Sequence, residues 1–215
     1  MNSPRSIQDA YTEWSSSYDQ DRNRTRDLDA YVSQTLLSGM GVNTAIEIGC
    51  GTGKNTLLLA GIAKHVIAMD FTEAMIAKAE NKLRELGTSN VSFTVADVTK
   101  RWPCEDQFAE LVVCNLVLEH IADIDFVFRE ASRCLISGGR FFVSELHPFR
   151  QYQGTKAQFQ RDQETEEIEA FVHHLSDFFS AARQGDFAVS RFDEWWHEED
   201  RNKPPRLVSF MFQKT

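Results

Sequence analysis

The sequence predicts an α/β protein built on a doubly wound, mostly parallel sheet, and three observations predict it. Short apolar runs of strand length alternate with helix-like segments from residue 44 to residue 144. The first run, residues 45–48, ends in a turn with glycines at positions 49, 51 and 53. At 215 residues, with 42% hydrophobic residues, the chain can bury one substantial core. We therefore expect a single domain with helices on both faces of the sheet.

The N-terminal segment, residues 1–40, is predicted to be a helical cap. Tyr11, Trp14 and Tyr18 follow helical spacing, and Leu28, Val32 and neighbouring apolar residues continue the stripe. Helices of this kind need an apolar surface to pack on, which the sheet provides.

Five strands are predicted in the core, residues 41–145. They cover residues 45–48, 66–70, 91–95, 109–115 and 140–144. Helices are expected after Gly53, over residues 72–83 and over residues 126–135, with the last one stopping at the glycine pair 138–139. This alternation is typical of repeated βα units.

The segment 146–205 departs from that alternation. Residues 149–170 are polar and show no clear strand pattern, so they are interpreted as a substrate-side excursion or lid. A helix over 175–182 and strands over 187–192 and 207–212 follow, and their connection permits an antiparallel final pair. The last strand is assigned to residues 206–215.

Composition argues against several classes of partner. The formal charge is -9, which opposes non-specific binding to nucleic acid or anionic lipid. An apolar signal segment and an apolar run long enough to span a bilayer are both missing from the sequence, so a cytoplasmic location is expected. The four cysteines show neither a disulfide framework nor metal-ligand spacing, and we expect reduced thiols and no metal.

The glycine-rich turn points to a ligand site but not to a phosphate site. In a doubly wound sheet, the turn after the first strand borders the ligand crevice. A dinucleotide motif needs its third glycine three positions after the second, whereas here the glycines are Gly49, Gly51 and Gly53 and Lys54 follows. A P-loop needs a Ser or Thr after the lysine, and Asn55 occupies that position.

Carboxylates follow successive predicted strands. Glu47 precedes the glycine turn, Asp70 ends the second strand and Asp97 follows the third. Asp70 can accept hydrogen bonds from both ribose hydroxyls, and Asp97 can accept one from an exocyclic amine such as that of adenine. Three carboxylates facing one ligand favour a positively charged nucleoside without phosphates.

These segments, together with residues 115–120, resemble the motifs of class I S-adenosylmethionine-dependent methyltransferases in order and spacing. Residues 44–145 carry the resemblance, and residues 11–19 resemble the N-terminal cap of small-molecule members. The resemblance implies a Rossmann-like sheet of seven strands with an antiparallel last strand. It also implies that the protein transfers a methyl group from S-adenosylmethionine to a small-molecule acceptor with an N, O, S or C nucleophile, releasing S-adenosylhomocysteine.

The resemblance also implies positions for the cofactor. The glycines would lie beside its methionine and ribose parts, Asp70 on the ribose hydroxyls, and Phe71 and Met75 against the adenine. Asp97 and Val98 would lie at the adenine amine edge, Asn115 and Leu116 near the sulfonium, and Tyr18 near the cofactor.

Methyl transfer is an in-line displacement that needs alignment and a dry pocket, and it needs a base only where the acceptor loses a proton. The candidate bases follow the fourth and fifth strands: Glu119, His120, Glu145 and His147. His147 is preferred, because Pro148 biases it toward extended geometry and a neutral imidazole can take a proton near pH 7. The alternatives are that His147 caps the strand or contacts substrate, and that His120 is structural.

Two other functions stay open at this point. One is a nicotinamide-dependent oxidoreductase on a similar sheet, and the other is a non-catalytic module that binds the nucleoside. The glycine spacing argues against the first.

Overall fold

The computed structural model describes residues 6–156, 158–161 and 164–215, with side chains omitted for 158–161 and 164–167. Its main feature is a seven-stranded sheet in the order β3-β2-β1-β4-β5-β9-β8. The strands are β1 (Val42–Ile48), β2 (Ala63–Asp70), β3 (Val91–Val95), β4 (Ala109–Asn115), β5 (Leu135–Leu146), β8 (Phe187–Trp195) and β9 (Leu207–Lys214). The α/β prediction is confirmed.

Helices connect these strands and cap the chain's start. They are α1 (Ile7–Trp14), α2 (Arg24–Leu37), α3 (Lys54–Ile62), α4 (Glu73–Glu85), α5 (Ile124–Cys134), α6 (Pro148–Tyr152) and α7 (Leu175–Gln184). Local chemistry explains several starts. Ser6 and Asn23 accept hydrogen bonds from the first amides of α1 and α2, and Asp123 does so for α5.

The strand pairing confirms the predicted antiparallel last strand. β1 pairs in parallel with β2 on one side and with β4 on the other. β9 runs antiparallel between β5 and β8. The strand order therefore reverses between β1 and β4, which is the place where ligands bind in open α/β sheets.

The core lies on both faces of the sheet. Alternate residues of β1 show this, because Ile46 packs in the cluster with α5 and α7, whereas Ala45 packs in the cluster with α2 and α3. The larger cluster contains stacked and edge-to-face phenylalanines, including Phe128, Phe141 and Phe212. A closely packed sheet of this kind holds its strand ends in fixed positions.

Three expectations from the sequence are wrong. Residues 149–170 contain α6 and a hairpin of β6 (Gln158–Arg161) and β7 (Glu164–Glu167), because main-chain pairing in a hairpin needs no apolar alternation. Strand β5 begins at Leu135, which pairs with Ala109, so the glycine pair 138–139 lies inside the strand. Cys104 and Cys134 form a disulfide, because a loop brings Cys104 to the end of α5.

Cys50 and Cys114 are buried free thiols, as predicted. Within the described part of the chain, every helix is too short or too polar to cross a bilayer.

Candidate active site

A cavity of about 710 Å³ opens at the carboxyl ends of β1, β2 and β4. This volume is in the range of small-molecule and cofactor sites. Eleven of the twelve residues that the sequence assigns to the cofactor line it: Tyr18, Glu47, Gly49, Gly51, Asp70, Phe71, Met75, Asp97, Val98, Asn115 and Leu116. They meet here because parallel strands end at one edge of a sheet.

The three glycines of the turn have three different tasks. All have positive φ, which favours glycine. A Cβ on Gly49 would lie 2.1 Å from Val117, so the turn and the loop after β4 can approach only at a glycine. A Cβ on Gly51 would meet nothing within 4 Å, so open cavity lies beside it. Gly53 does not line the cavity. A Cβ on Gly53 would lie 3.0 Å from the Cβ of Ala79, so glycine at this position lets α4 pack close to the turn.

Asp70 holds the glycine turn as well as facing the cavity. Its Oδ2 accepts the amide of Gly51 at 2.9 Å, and its Oδ1 accepts the amide of Thr72 at 2.9 Å. Burial raises the pKa of the Asp70 carboxyl, and these hydrogen bonds counteract part of the rise. Each carboxylate oxygen can accept a second hydrogen bond, so both can still bind a ligand hydroxyl.

Acidic groups predominate around the cavity. Its described lining includes seven carboxyl groups, those of Asp19, Asp21, Asp27, Asp29, Glu47, Asp70 and Asp97, and three permanent cations, those of Arg26, Lys54 and Lys82. Glu47 is buried and accepts a hydrogen bond from Thr56, and burial raises its pKa to about 8. The surplus of acids favours a cationic ligand.

A polar network that the sequence did not reveal connects the cap to β4. Asn115 donates to Asp29 Oδ1 at 2.7 Å and to Ser33 Oγ at 2.8 Å. Asn55 donates to Asp29 Oδ2 at 2.9 Å. Leu116, which follows Asn115 in the chain, has a φ of 56°. This value is strained for a non-glycine residue, and strain of this kind is common at functional sites. Asp29 lies between apolar positions of α2, which is the signal that could have identified it.

The cap covers the cavity with aromatic side chains. The Arg26 guanidinium lies 3.9 Å from the ring centroid of Tyr18, and Trp14 packs edge-on against the same ring at 4.7 Å. Tyr11 also lines the cavity. In the sequence Tyr11 is only one position of an apolar stripe, so its place in the site was missed.

Asp97 differs from Asp70 in its local partners. It accepts hydrogen bonds from the amide and hydroxyl of Thr99, and it pairs with Lys100 at 3.0 Å. Burial raises the pKa of the Asp97 carboxyl, but these partners together outweigh it, so the pKa is lowered. Because it is half-exposed and locally satisfied, Asp97 is expected to contribute less to ligand binding than Asp70.

His120 is the predicted base that lines this cavity. Its Nδ1 lies 3.0 Å from the carbonyl oxygen of Glu169, so Nδ1 carries the proton and donates it. Nε2 then accepts from the hydroxyl of Tyr11 at 2.8 Å. Burial lowers the pKa of His120, which keeps the ring neutral near pH 7.

The other three predicted bases lie elsewhere. Glu119 lines a neighbouring cavity, whereas Glu145 and His147 line neither. His147 is fully buried, accepts the amide of Phe149 at Nδ1 and bonds Glu194 through Nε2 at 2.9 Å. His147 therefore caps α6 and lies away from both cavities. A base is needed beside the bound ligand, and His147 does not lie there.

Glu145 holds the loop after β4 through hydrogen bonds to the main chain of that loop. Its Oε1 accepts the amides of Val117 and Leu118, each at 2.9 Å, while Oε2 is buried without a partner. Burial raises the pKa of Glu145 to about 8. Glu145 thus positions the loop that carries His120.

Ionisation of Glu145 is expected to destabilise the fold as pH rises. Its carboxyl ionises near pH 4.5 in the unfolded chain and near pH 8 in the folded one. Between these values the folded state binds more protons, so the free energy of unfolding falls from about pH 5 to about pH 8. Glu145→Gln keeps the acceptor oxygen and removes the ionisation. The free energy of unfolding of this variant is therefore expected to fall less over the same pH range. Urea unfolding across this range measures both, with exposed Glu85→Gln as control; equal slopes would contradict the assignment.

The residues present fit a nucleoside bearing a positive charge. The open space beside Gly51 lets a ligand approach the backbone closely. Asp70 lines the same cavity, and each of its carboxylate oxygens can accept one more hydrogen bond. The acidic lining and the aromatic cap suit a cation better than a pyrophosphate.

Comparisons with known proteins agree with this geometry. Residues 42–202, more than half of the chain, match the family model described as a methyltransferase domain. The chain is 29% identical over 173 residues to the uncharacterized methyltransferase AN0656 of Emericella nidulans, covering 65% of this chain and 60% of that protein. It spans less than two thirds of the length of the curated relatives it matches.

Solved structures of methyltransferases are among those that share the fold. An S-adenosylmethionine-dependent methyltransferase from Clostridium acetobutylicum has a TM-score of 0.71 at 17% identity, covering 95% of this chain and 99% of its own. The N-methyltransferase NodS from Bradyrhizobium japonicum, in complex with S-adenosyl-L-homocysteine, has a TM-score of 0.73 at 15% identity, covering 98% and 99%. Together with the family match, this fold shows that the chain belongs to the class I S-adenosylmethionine-dependent methyltransferases.

Proposed function

We propose that this chain is an enzyme that transfers a methyl group from S-adenosylmethionine to a small-molecule acceptor. The observation that carries the proposal is the acid-lined cavity at the ends of β1, β2 and β4, in a chain of the methyltransferase family. A small acceptor is favoured because the cap helices cover the site and leave room for a compact molecule. The family match argues against the oxidoreductase alternative.

The cofactor would be held by groups already in place. Asp70 accepts the ribose hydroxyls, Phe71 and Met75 contact the adenine, and Gly51 leaves space for the ligand to approach the backbone. Asn115, Leu116 and Tyr18 surround the end of the cavity where the cap and β4 meet. Asp29 and Glu47 also line this cavity.

Bound S-adenosylmethionine supplies a methyl carbon on a positively charged sulfur, which departs as a neutral thioether when the carbon–sulfur bond breaks. The acceptor nitrogen or oxygen forms the new bond with its lone pair and must lose any proton it carries. Tyr11 and His120 provide a route for that proton. The phenol oxygen of Tyr11 receives it while its own proton passes to Nε2 of His120.

Calorimetry with S-adenosylhomocysteine tests the cofactor half. Asp70→Ala is expected to weaken binding by about 10-fold to 100-fold, since a hydrogen bond to a charged group contributes about 1.5–3 kcal/mol. Asp97→Ala, the matched control at the next strand end, is expected to change it much less. Equal affinities for wild type and Asp70→Ala would remove the ribose assignment, and no binding to wild type would overturn the proposed function.

Transfer of a labelled methyl group tests the acceptor half. Incubation with labelled S-adenosylmethionine and a panel of small amines, thiols and hydroxy compounds is expected to label a member of the panel. Label found only in added protein or nucleic acid would contradict the small-molecule assignment. Tight nucleoside binding without transfer to anything would favour the non-catalytic module.

A further inference from the structure

A second cavity of about 420 Å³ adjoins the first. The two share Tyr11, Tyr18, Arg26 and Leu116, so a molecule in the second lies beside a ligand in the first. The cap, the loop after β4 and the end of β5 supply its walls.

The charges of the two cavities are opposite in sign. The first has seven acidic and three permanently cationic residues in its described lining. The second has five cationic residues, Arg22, Arg24, Arg26, Lys156 and Arg206, and one acidic residue, Glu119. In a chain with a formal charge of -9, this separation marks the second cavity as a site for negative charge.

Part of this positive charge is compensated from outside the cavity. Arg22 and Arg24 pair with Glu199, and Arg206 pairs with Asp200; neither acid belongs to the cavity's described lining. Arg26 differs, because among the described residues it pairs with no carboxylate. It donates to the carbonyls of Tyr18 and Asp21, and its Nε is buried without a hydrogen-bond partner. A charged group in this state attracts an anion strongly.

Glu119 supplies the opposite kind of contact. Only 8% of the residue is exposed, and its Oε2 is buried with no hydrogen-bond partner in the structure. A buried acceptor without a donor is costly unless a ligand supplies one. A hydroxyl or amine on a molecule in this cavity would do so.

We propose that the second cavity binds the methyl acceptor and selects a small molecule that carries a carboxylate or phosphate together with a hydroxyl or amine nucleophile. The anion is held by the arginines of the cap. The nucleophile donates a hydrogen bond to Glu119 on binding, before its proton passes to Tyr11 during methyl transfer. This inference rests on the proposed function, because it names the substrate class for the same site.

Binding to protein saturated with S-adenosylhomocysteine tests the selection directly. The probes, at pH 7, are 4-hydroxybenzoate, 4-aminobenzoate and inorganic phosphate, with phenol and aniline as neutral counterparts. The two organic anions are expected to bind at least about fivefold more tightly than their neutral counterparts. Binding of all three anions is expected to weaken as salt is added. Arg26→Gln and Arg24→Gln are expected to weaken anion binding by about fivefold or more.

Arg84→Gln is the control, because it removes the same charge from α4 and lines neither cavity. Glu119→Gln is expected to weaken binding of the hydroxyl and amine compounds and to leave the affinity for inorganic phosphate unchanged. Neutral probes that bind as well as the anions, or anion binding equally weakened by Arg84→Gln, would overturn the inference. Failure to bind S-adenosylhomocysteine overturns the proposed function instead, so the two failures are distinguishable.

Discussion

His120→Gln is expected to lower methyl transfer by about 100-fold, at the lower end of the effect of a general base. In the wild type the neutral ring accepts the Tyr11 hydroxyl at Nε2, because Nδ1 donates to the carbonyl of Glu169. A glutamine can accept the same hydroxyl but cannot take up its proton. Turnover is therefore expected to fall far more than affinity for S-adenosylhomocysteine, which calorimetry measures on the same samples.

The pH profile separates a base from a structural role. Burial lowers the pKa of His120, and a base must be unprotonated, so wild-type turnover falls as pH falls through that lowered pKa. The acidic limb is expected to disappear in the variant. His174→Gln is the matched control, since His174 bonds Tyr152 at 2.6 Å and lines neither cavity. Unchanged turnover, or an acidic limb that persists in His120→Gln, would remove His120 from the chemistry.

Gly49→Ala is expected to destabilise the protein by about 3 kcal/mol, from overpacking and from the left-handed conformation together. The added Cβ would lie 2.1 Å from Cγ2 of Val117, and the backbone φ there is 69°. Gly51→Ala carries a similar backbone cost, about 1 kcal/mol, but meets no atom within 4 Å. Urea unfolding of both variants measures the difference.

A second substitution identifies the cause of the larger loss. Val117→Ala removes Cγ2, so the double variant Gly49→Ala/Val117→Ala is expected to lose less stability than the sum of the two single variants. Strict additivity would show that the contact with Val117 is not the cause. Equal stabilities of Gly49→Ala and Gly51→Ala would contradict the close approach of the turn and the loop after β4.

The location of the site could be predicted from the sequence because strand ends are a local property with a global consequence. Asp70 ends an apolar run, Gly49 and Gly51 follow another, and parallel strands place both at one edge. Asn115 and Leu116 reach the same cavity by the same rule. Asp97 follows it too, although its local partners reduce what it offers a ligand.

The partners of the candidate bases could not be predicted. His147 bonds Glu194, 47 positions later on β8, and Tyr11 meets His120 across 109 positions. The local sequence around His147, with Pro148 after it, indicates extended backbone and says nothing about which ring nitrogen stays available. The paired cysteines Cys104 and Cys134 are a further case, because their spacing resembles no known framework.

Hydrophobic periodicity and glycine spacing thus encode the sheet, its strand ends and the character of the crevice, since each depends on residues close in the chain. Tertiary packing alone decided which buried oxygen lacks a donor, which candidate histidine reaches the cavity, and which side of the cap carries the arginines. Those properties depend on contacts between segments far apart in sequence, and burial sets both their charge state and their available hydrogen bonds.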